Sequence, residues 1–307
     1  MKGTKVKIEA VDGLAGLHAA LEAPEGERDR IFAERVMLPL RPVFEPMLRM
    51  NPAVDPATAY DDPVGLAKSW TFFVPEDGVE EGLASLAKLE SADTFERCTE
   101  ALRLAAAALK PEEHGVDLPI VRLAVMLLRK PANIESDKMQ GYTGVGGMPG
   151  AVVAMTWPTD FSVPRMPSST AHEFNHNVRF SVEPWTMNTT VGQYMIAEGL
   201  AENFAAEQYS HDLIGPWNTL FTESDLQELR PRFRDALNVT GFDEIRGYIF
   251  GDWAANQFGY KAQGVPDFAG YAMGYRVVRA YLERTGSTAA EATYVPWQEI
   301  VEESGYL

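Results

Sequence analysis

A mixed α+β fold, mainly helical with one small sheet, is what these 307 residues predict. Two apolar runs, LPIVRLAVMLL at 118–128 and AVVAMTW at 151–157, are rich in β-branched residues, short, and bounded by turn residues, as strands are. Elsewhere apolar residues recur at helical spacing, and no internal repeat or low-complexity tract interrupts them. The expected arrangement is a helical N-terminal region over residues 1–115 and an α+β region over 116–307 that carries the chemistry.

Taken in order, residues 14 to about 110 read as helices separated by the turn segments LEAPEGERDRIF and NPAVDPATAYDDPVG. The alanine-rich EGLASLAKLESADTFERCTEALRLAAAALK forms one or two of those helices, and no chemistry is legible in this half. Between the two strands lies GYTGVGGMPG, residues 141–150. A phosphate-cradling loop is excluded, because the G-x-G-x-x-G register from Gly144 puts Pro149 where glycine is required and no G-K-[ST] follows. These glycines read instead as a mobile turn over a cleft. From Pro167, which suits the first turn of a helix, the helical pattern resumes to near the end.

Composition narrows the classes of function. A net charge of −17 argues against nucleic acid or an anionic membrane as partner, since either needs a basic surface. The single cysteine, Cys98, excludes an internal disulfide framework and a thiolate-rich zinc cluster and suits a reducing compartment. The N-terminal stretch lacks a signal-peptide pattern and no window approaches eighteen consecutive apolar residues, so the expected location is the cytoplasm.

The chemistry concentrates in STAHEFNHNVRF, residues 169–180. With five histidines in the chain, H-E-x-x-H arises by chance in roughly one chain in a hundred of this kind, so other segments must decide. Ala171, Phe174 and Val178 form a core-facing stripe, and at about 100° per residue His172 and His176 point roughly 150° away from it. Four apart on a helix, the two imidazoles can converge on one zinc ion, and Glu173, one step around, lies where a base can take a proton from water. Thr170 with Glu173 also fits a capping box, and the histidines also fit a wet polar face. Against those readings, Asn175, Asn177 and both histidines are mediocre helix formers, a local inconsistency of the kind found at functional sites.

A catalytic zinc takes a third protein ligand. The H-E-x-x-H-x-x-G-x-x-H arrangement fails, because Arg179 and Val182 occupy the required positions. A glutamate from a later helix is available in MIAEGLAENFAAEQY, residues 195–209. There Ile196, Leu200 and Phe204 form the core stripe, while Glu198 and Glu202 share the other side with Ala201 and Ala205, small neighbours that suggest a packed face. Gly199 points to close approach by another helix. Glu198 is the expected ligand; Glu202, one turn on, is placed to accept the second ring proton of a ligating histidine. An ordinary solvated acidic face is the competing reading.

HEFNHNVR, AEGLAENF, GVPDFAGYAMGYRVVRAYLERTG and the terminal EIVEESGY together resemble the bacterial family of predicted zinc-dependent proteases carrying domain of unknown function 2268, itself similar to the gluzincins. The resemblance covers roughly residues 140–307. It implies a zincin-like fold, zinc on His172, His176 and Glu198, and Glu173 as general base. Asn175 departs from the histidine that members often carry there, at a position directed away from the metal. Peptide hydrolysis also needs a donor for the oxyanion. Gluzincins often use a downstream tyrosine or histidine, which makes Tyr271 and Tyr275 the candidates, with His211 weaker. The same two tyrosines continue with Val278 and Leu282 as a core stripe. His18 and His114 read as surface residues. The strand at 151–157 is the expected edge for an extended peptide.

The sequence therefore predicts a zinc metallopeptidase acting on peptide or protein substrates. Three alternatives remain open: a zinc hydrolase of a non-peptide amide, a non-catalytic zinc-stabilised binding or chaperone-like module, and a metal-free helical scaffold. Oligomeric state is not legible.

Overall fold

The computed structural model describes residues 5–50, 55, 58–132 and 138–307, so much of the 51–65 turn segment lies outside the described residues. The fold is mixed α and β with one four-stranded sheet, and the chain divides into two compact units, residues 1–177 and 178–307.

The first unit begins with a strand, β1 (Lys7–Asp12), in a segment for which the sequence suggests no element. Asp12 then caps helix α1 (Gly13–Glu22), accepting from the Leu14 and Ala15 amides at 3.1 and 3.0 Å. Among the described residues there follow α2 (Arg28–Phe32), joined through a π-helical turn at Ala33–Met37 to α3 (Leu38–Met50), then α4 (Pro63–Ser69), α5 (Val79–Ser91) and α6 (Thr94–Leu109). The alanine-rich segment thus becomes two helices, α5 and α6. α6 buries Cys98, whose thiol is pushed up to about 12 by that burial, so it carries no thiolate at neutral pH.

Then come β2 (Ile120–Leu127), β3 (Tyr142–Val145), β4 (Ala151–Thr156) and helix α7 (Ser162–Val182), whose last residues belong to the second unit. The sheet order is β1-β2-β4-β3. β1, β2 and β4 run parallel, with Val11 beside Ala124 and Ala124 beside Val153, while β3 is antiparallel, with Gly144 beside Ala154. β4 is therefore not the edge that the sequence suggests. All six of its residues are buried and strands flank it on both sides; the edges are β1 and β3. The unbroken apolar run AVVAM, with only the terminal Thr156 polar, is the mark of a strand covered on both faces.

The second unit is helical: α8 (Val191–Gln208), α9 (Glu223–Ala236), α10 (Phe242–Ile249), α11 (Asp252–Phe258), α12 (Ala269–Thr285), α13 (Ala289–Ala292) and α14 (Trp297–Ser304). α8 is its centre, and every residue from Met195 to Ala205 is buried. It meets α12 backbone to backbone, because a Cβ on Gly199 would collide with the Gly274 carbonyl and one on Gly274 with the Met195 carbonyl. The close approach that Gly199 predicts is present. Among the described residues no helix is long and apolar enough to cross a membrane.

Candidate metal centre

α7 starts earlier than its proline suggests. The Ser162 amide donates to Thr159 Oγ1 at 2.9 Å and the Thr159 amide to Ser162 Oγ at 3.0 Å, a reciprocal pair that opens the helix and leaves Pro167 inside it. Thr170 consequently caps nothing: its hydroxyl donates to the Met166 carbonyl one turn back, which removes the capping-box explanation for Glu173. Ala171, Phe174 and Val178 are fully buried, as their spacing predicts.

His172 and His176 lie one turn apart with ring centroids 4.7 Å apart and planes at 85°. His176 is buried and His172 half-buried. Glu173, 8% exposed, lies against β3. A Cβ on Gly144 would collide with the Glu173 Cγ and Oε1, and one on Gly146 with the Glu173 carbonyl oxygen. The glycines that read as a loose turn thus let a strand ride directly on the helix that carries the glutamate.

On α8, Thr190 caps the N-terminus by accepting from the Gln193 amide. Ile196, Leu200 and Phe204 are fully buried, and so, to within 3%, are the carboxylates Glu198 and Glu202 on the other side. This face is packed, not solvated. Among the described residues, His172, His176 and Glu198 form a group that could hold a metal ion, each offering one ligand atom and all three atoms lying within 4.8 Å of one another. Two imidazole nitrogens and one carboxylate oxygen are the donor set of a three-ligand catalytic zinc site, so the residues present fit that ion.

Glu202 has work of its own. Its Oε1 accepts from Trp217 Nε1 at 2.9 Å and its Oε2 from the Gly215 amide at 3.2 Å, tying the loop after α8 back to the helix.

Tyr271 and Tyr275 differ in their surroundings. Tyr271 packs among Trp217, Phe250 and Phe268, at ring-centroid distances of 5.5, 5.6 and 6.1 Å. The Tyr275 hydroxyl lies 2.7 Å from His211 Nδ1, and Arg279 donates to it at 3.3 Å. Both are buried, as the stripe reading requires, with Val278 fully buried and Leu282 half-buried beside them in sequence. His18 lies near the surface against Glu90, and His114 is exposed.

Two further buried polar side chains on α7, Asn177 and Arg179, have backbone partners that the sequence does not announce. Asn177 bonds to the ends of the β3–β4 connection. Arg179 donates to the Thr293 and Val295 carbonyls at 2.9 and 2.7 Å and to Glu183 at 2.6 Å. Burial holds its guanidinium pKa down, opposed by the Glu183 carboxylate. The Arg179–Glu183 spacing of four is legible as a helical ion pair, but its carbonyl partners lie more than a hundred residues away.

A family model described as "Predicted Zn-dependent protease (DUF2268)" matches residues 94–302. The chain belongs to this family. The matched span runs from α6 into α14 and so includes the triad, Glu173, the β3 glycines and both tyrosines. Within it, zinc dependence and proteolysis are the activity that the family's description predicts. The chain is 33% identical over 282 residues to the uncharacterized protein YjfC of Bacillus subtilis (strain 168), covering 92% of each sequence. It is 23% identical over 230 residues to the uncharacterized protein YjaZ of the same organism, covering 73% of this chain and 80% of that one. No solved structure matches it.

Proposed function

We propose that the protein is a zinc-dependent metallopeptidase of zincin-like architecture, with peptides or proteins as substrates and the cytoplasm as its setting. One observation carries the reading: His172, His176 and Glu198 converge to within 4.8 Å, and the residue between the histidines' turns, Glu173, is a nearly buried carboxylate under an edge strand. When bound there, a zinc ion supplies Lewis acidity, polarising a carbonyl and acidifying water towards a pKa of about 7.

The chain's own residues divide the remaining work. His172, His176 and Glu198 hold the ion. Glu202 accepts the second ring proton of a ligating histidine and so fixes the tautomer. The Glu173 carboxylate accepts a proton from the attacking water and returns it to the leaving amine. Tyr275, whose hydroxyl is oriented by His211 and Arg279, or Tyr271, donates to the oxyanion as it forms. An extended peptide adds along β3, the sheet edge that lies against Glu173.

Glu173→Gln separates catalysis from metal binding. It is expected to retain one zinc per chain by elemental analysis and to lose at least about a thousandfold in the rate of cleavage of a peptide library. A zinc-loaded wild type that cleaves no peptide near neutral pH would overturn the peptidase reading, in favour of a non-peptide amide substrate or a zinc-stabilised binding module.

A further inference from the structure

The geometry points to Asn177 as a positioning residue that holds the β3 edge against the Glu173 carboxylate; this rests on the peptidase reading above. Asn177 directly follows His176 and is fully buried. Its Nδ2 donates to the Gly146 carbonyl at 2.6 Å and to the Ala151 carbonyl at 2.8 Å, and its Oδ1 accepts from the Gly150 amide at 2.6 Å. Those three backbone groups are the two ends of the connection between β3 and β4. One side chain therefore closes the mouth of the hairpin from the side of the helix.

The spacing on α7 gives the contact its meaning. His172 and His176 are one i, i+4 pair, and Glu173 and Asn177 are a second, rotated by one residue. The second pair faces the hairpin. Its first member meets Gly144 and Gly146 so closely that neither could carry a Cβ, and its second member grips the same strand's far end. Among the described residues β3 has a strand partner on one side only, so its distance from the helix is set by this grip together with the missing side chains. Few side chains can replace Asn177. Two donors and an acceptor on a short planar group are needed; aspartate has no donor to offer, and glutamine reaches one methylene too far. Gly150, with φ +90°, takes the left-handed turn that delivers its amide to Asn177.

The test compares the full-length, zinc-loaded wild type with Asn177→Ala. Amide hydrogen exchange over residues 142–151 is expected to quicken by about 10- to 100-fold while zinc stoichiometry stays at one. KM for a cleaved peptide is expected to rise about tenfold with kcat within about threefold, because binding along the edge suffers before the chemistry does. Gly144→Ala is the second variant: it keeps all three Asn177 bonds but pushes β3 off Glu173, and should raise KM without faster exchange at Gly150. If Asn177→Ala does not fold, Gly144→Ala decides alone, an unchanged KM overturning the proposal. Unchanged exchange over 142–151 in Asn177→Ala, or a loosened hairpin with unaltered KM, also overturns it. A wild type that binds zinc and cleaves nothing defeats the peptidase reading instead, and the exchange measurement still decides whether Asn177 fixes β3.

Discussion

Asn177 and Arg179 stand two residues apart on α7 and are both fully buried, yet they tie down distant backbone by opposite means. Asn177 is neutral and satisfies two carbonyls and one amide. Arg179 is charged, satisfies two carbonyls of the 293–295 segment, and needs Glu183 beside it to be tolerable there. The difference follows from what each stands next to. Asn177 meets only uncharged backbone groups, two acceptors and one donor, which a neutral amide matches. Arg179 meets acceptors alone, one of them a carboxylate, and its rigid guanidinium fork serves all three at once.

The sharpest way to break this contrast is to remove Glu183. Glu183→Ala leaves the Arg179 charge buried without its counter-ion and also strips an acceptor from the Trp297 amide. The expected cost is about 3–5 kcal/mol by urea denaturation, and adding Arg179→Met to the same chain should recover part of it, since the stranded charge goes. A double variant less stable than Glu183→Ala would show that the two carbonyl bonds, not the charge pairing, dominate. The neutral clamp predicts no such rescue, because none of its partners is charged.

Both regions also depend on side chains that are absent. Gly146 admits α7 to β3, and Gly199 admits α12 to α8. Gly199→Ala would drive a methyl group into the Gly274 carbonyl and Val278, with an expected loss of about 1–3 kcal/mol from overpacking. Because Glu198 is the adjacent residue, zinc affinity should fall in the same variant. A zinc titration that matches wild type would separate the packing of α8 from the placement of its carboxylate.

What the sequence discloses and what it hides follow from the range of the forces involved. The i, i+4 histidines, the core stripes of α7 and α8 and the close approach at Gly199 are legible because helical periodicity writes them into neighbouring residues. β1 is hidden, because KIEAVD alternates charge with modest apolarity and becomes a strand only by pairing with β2, more than a hundred residues on. β3 is hidden because its glycines resemble a turn until Glu173 is seen beneath them. Pro167 misleads for a local reason: a proline in the interior forfeits one helical hydrogen bond, and the long packed face of α7 offsets that loss. Asn177 stands out as a poor helix former, but its three partners come from a turn 26 to 31 residues away, which no local pattern announces.

The mildest perturbation acts on the charged side of the comparison. Glu207 on α8 accepts from the Ala289 amide through both oxygens, at 2.9 and 3.0 Å, and so helps hold the start of the segment that Arg179 holds further on. Partial burial raises its pKa above the ordinary 4.5, with the Ala289 amide opposing and Glu291 adding to the rise. A carboxyl group with a raised native pKa stabilises the fold while protonated, and that contribution is lost as pH climbs through the raised value. Glu207→Gln keeps one acceptor for Ala289 and cannot ionise. Relative to wild type it should therefore gain stability as pH rises from below 4.5 towards neutrality, by less than about 1 kcal/mol because the residue as a whole is exposed to solvent. Urea midpoints for the two proteins measured across that range should diverge upward with pH. Curves that stay parallel would mean that the Ala289 amide fully offsets the burial, leaving Arg179 and Glu183 as the charged groups on which the 293–297 segment depends.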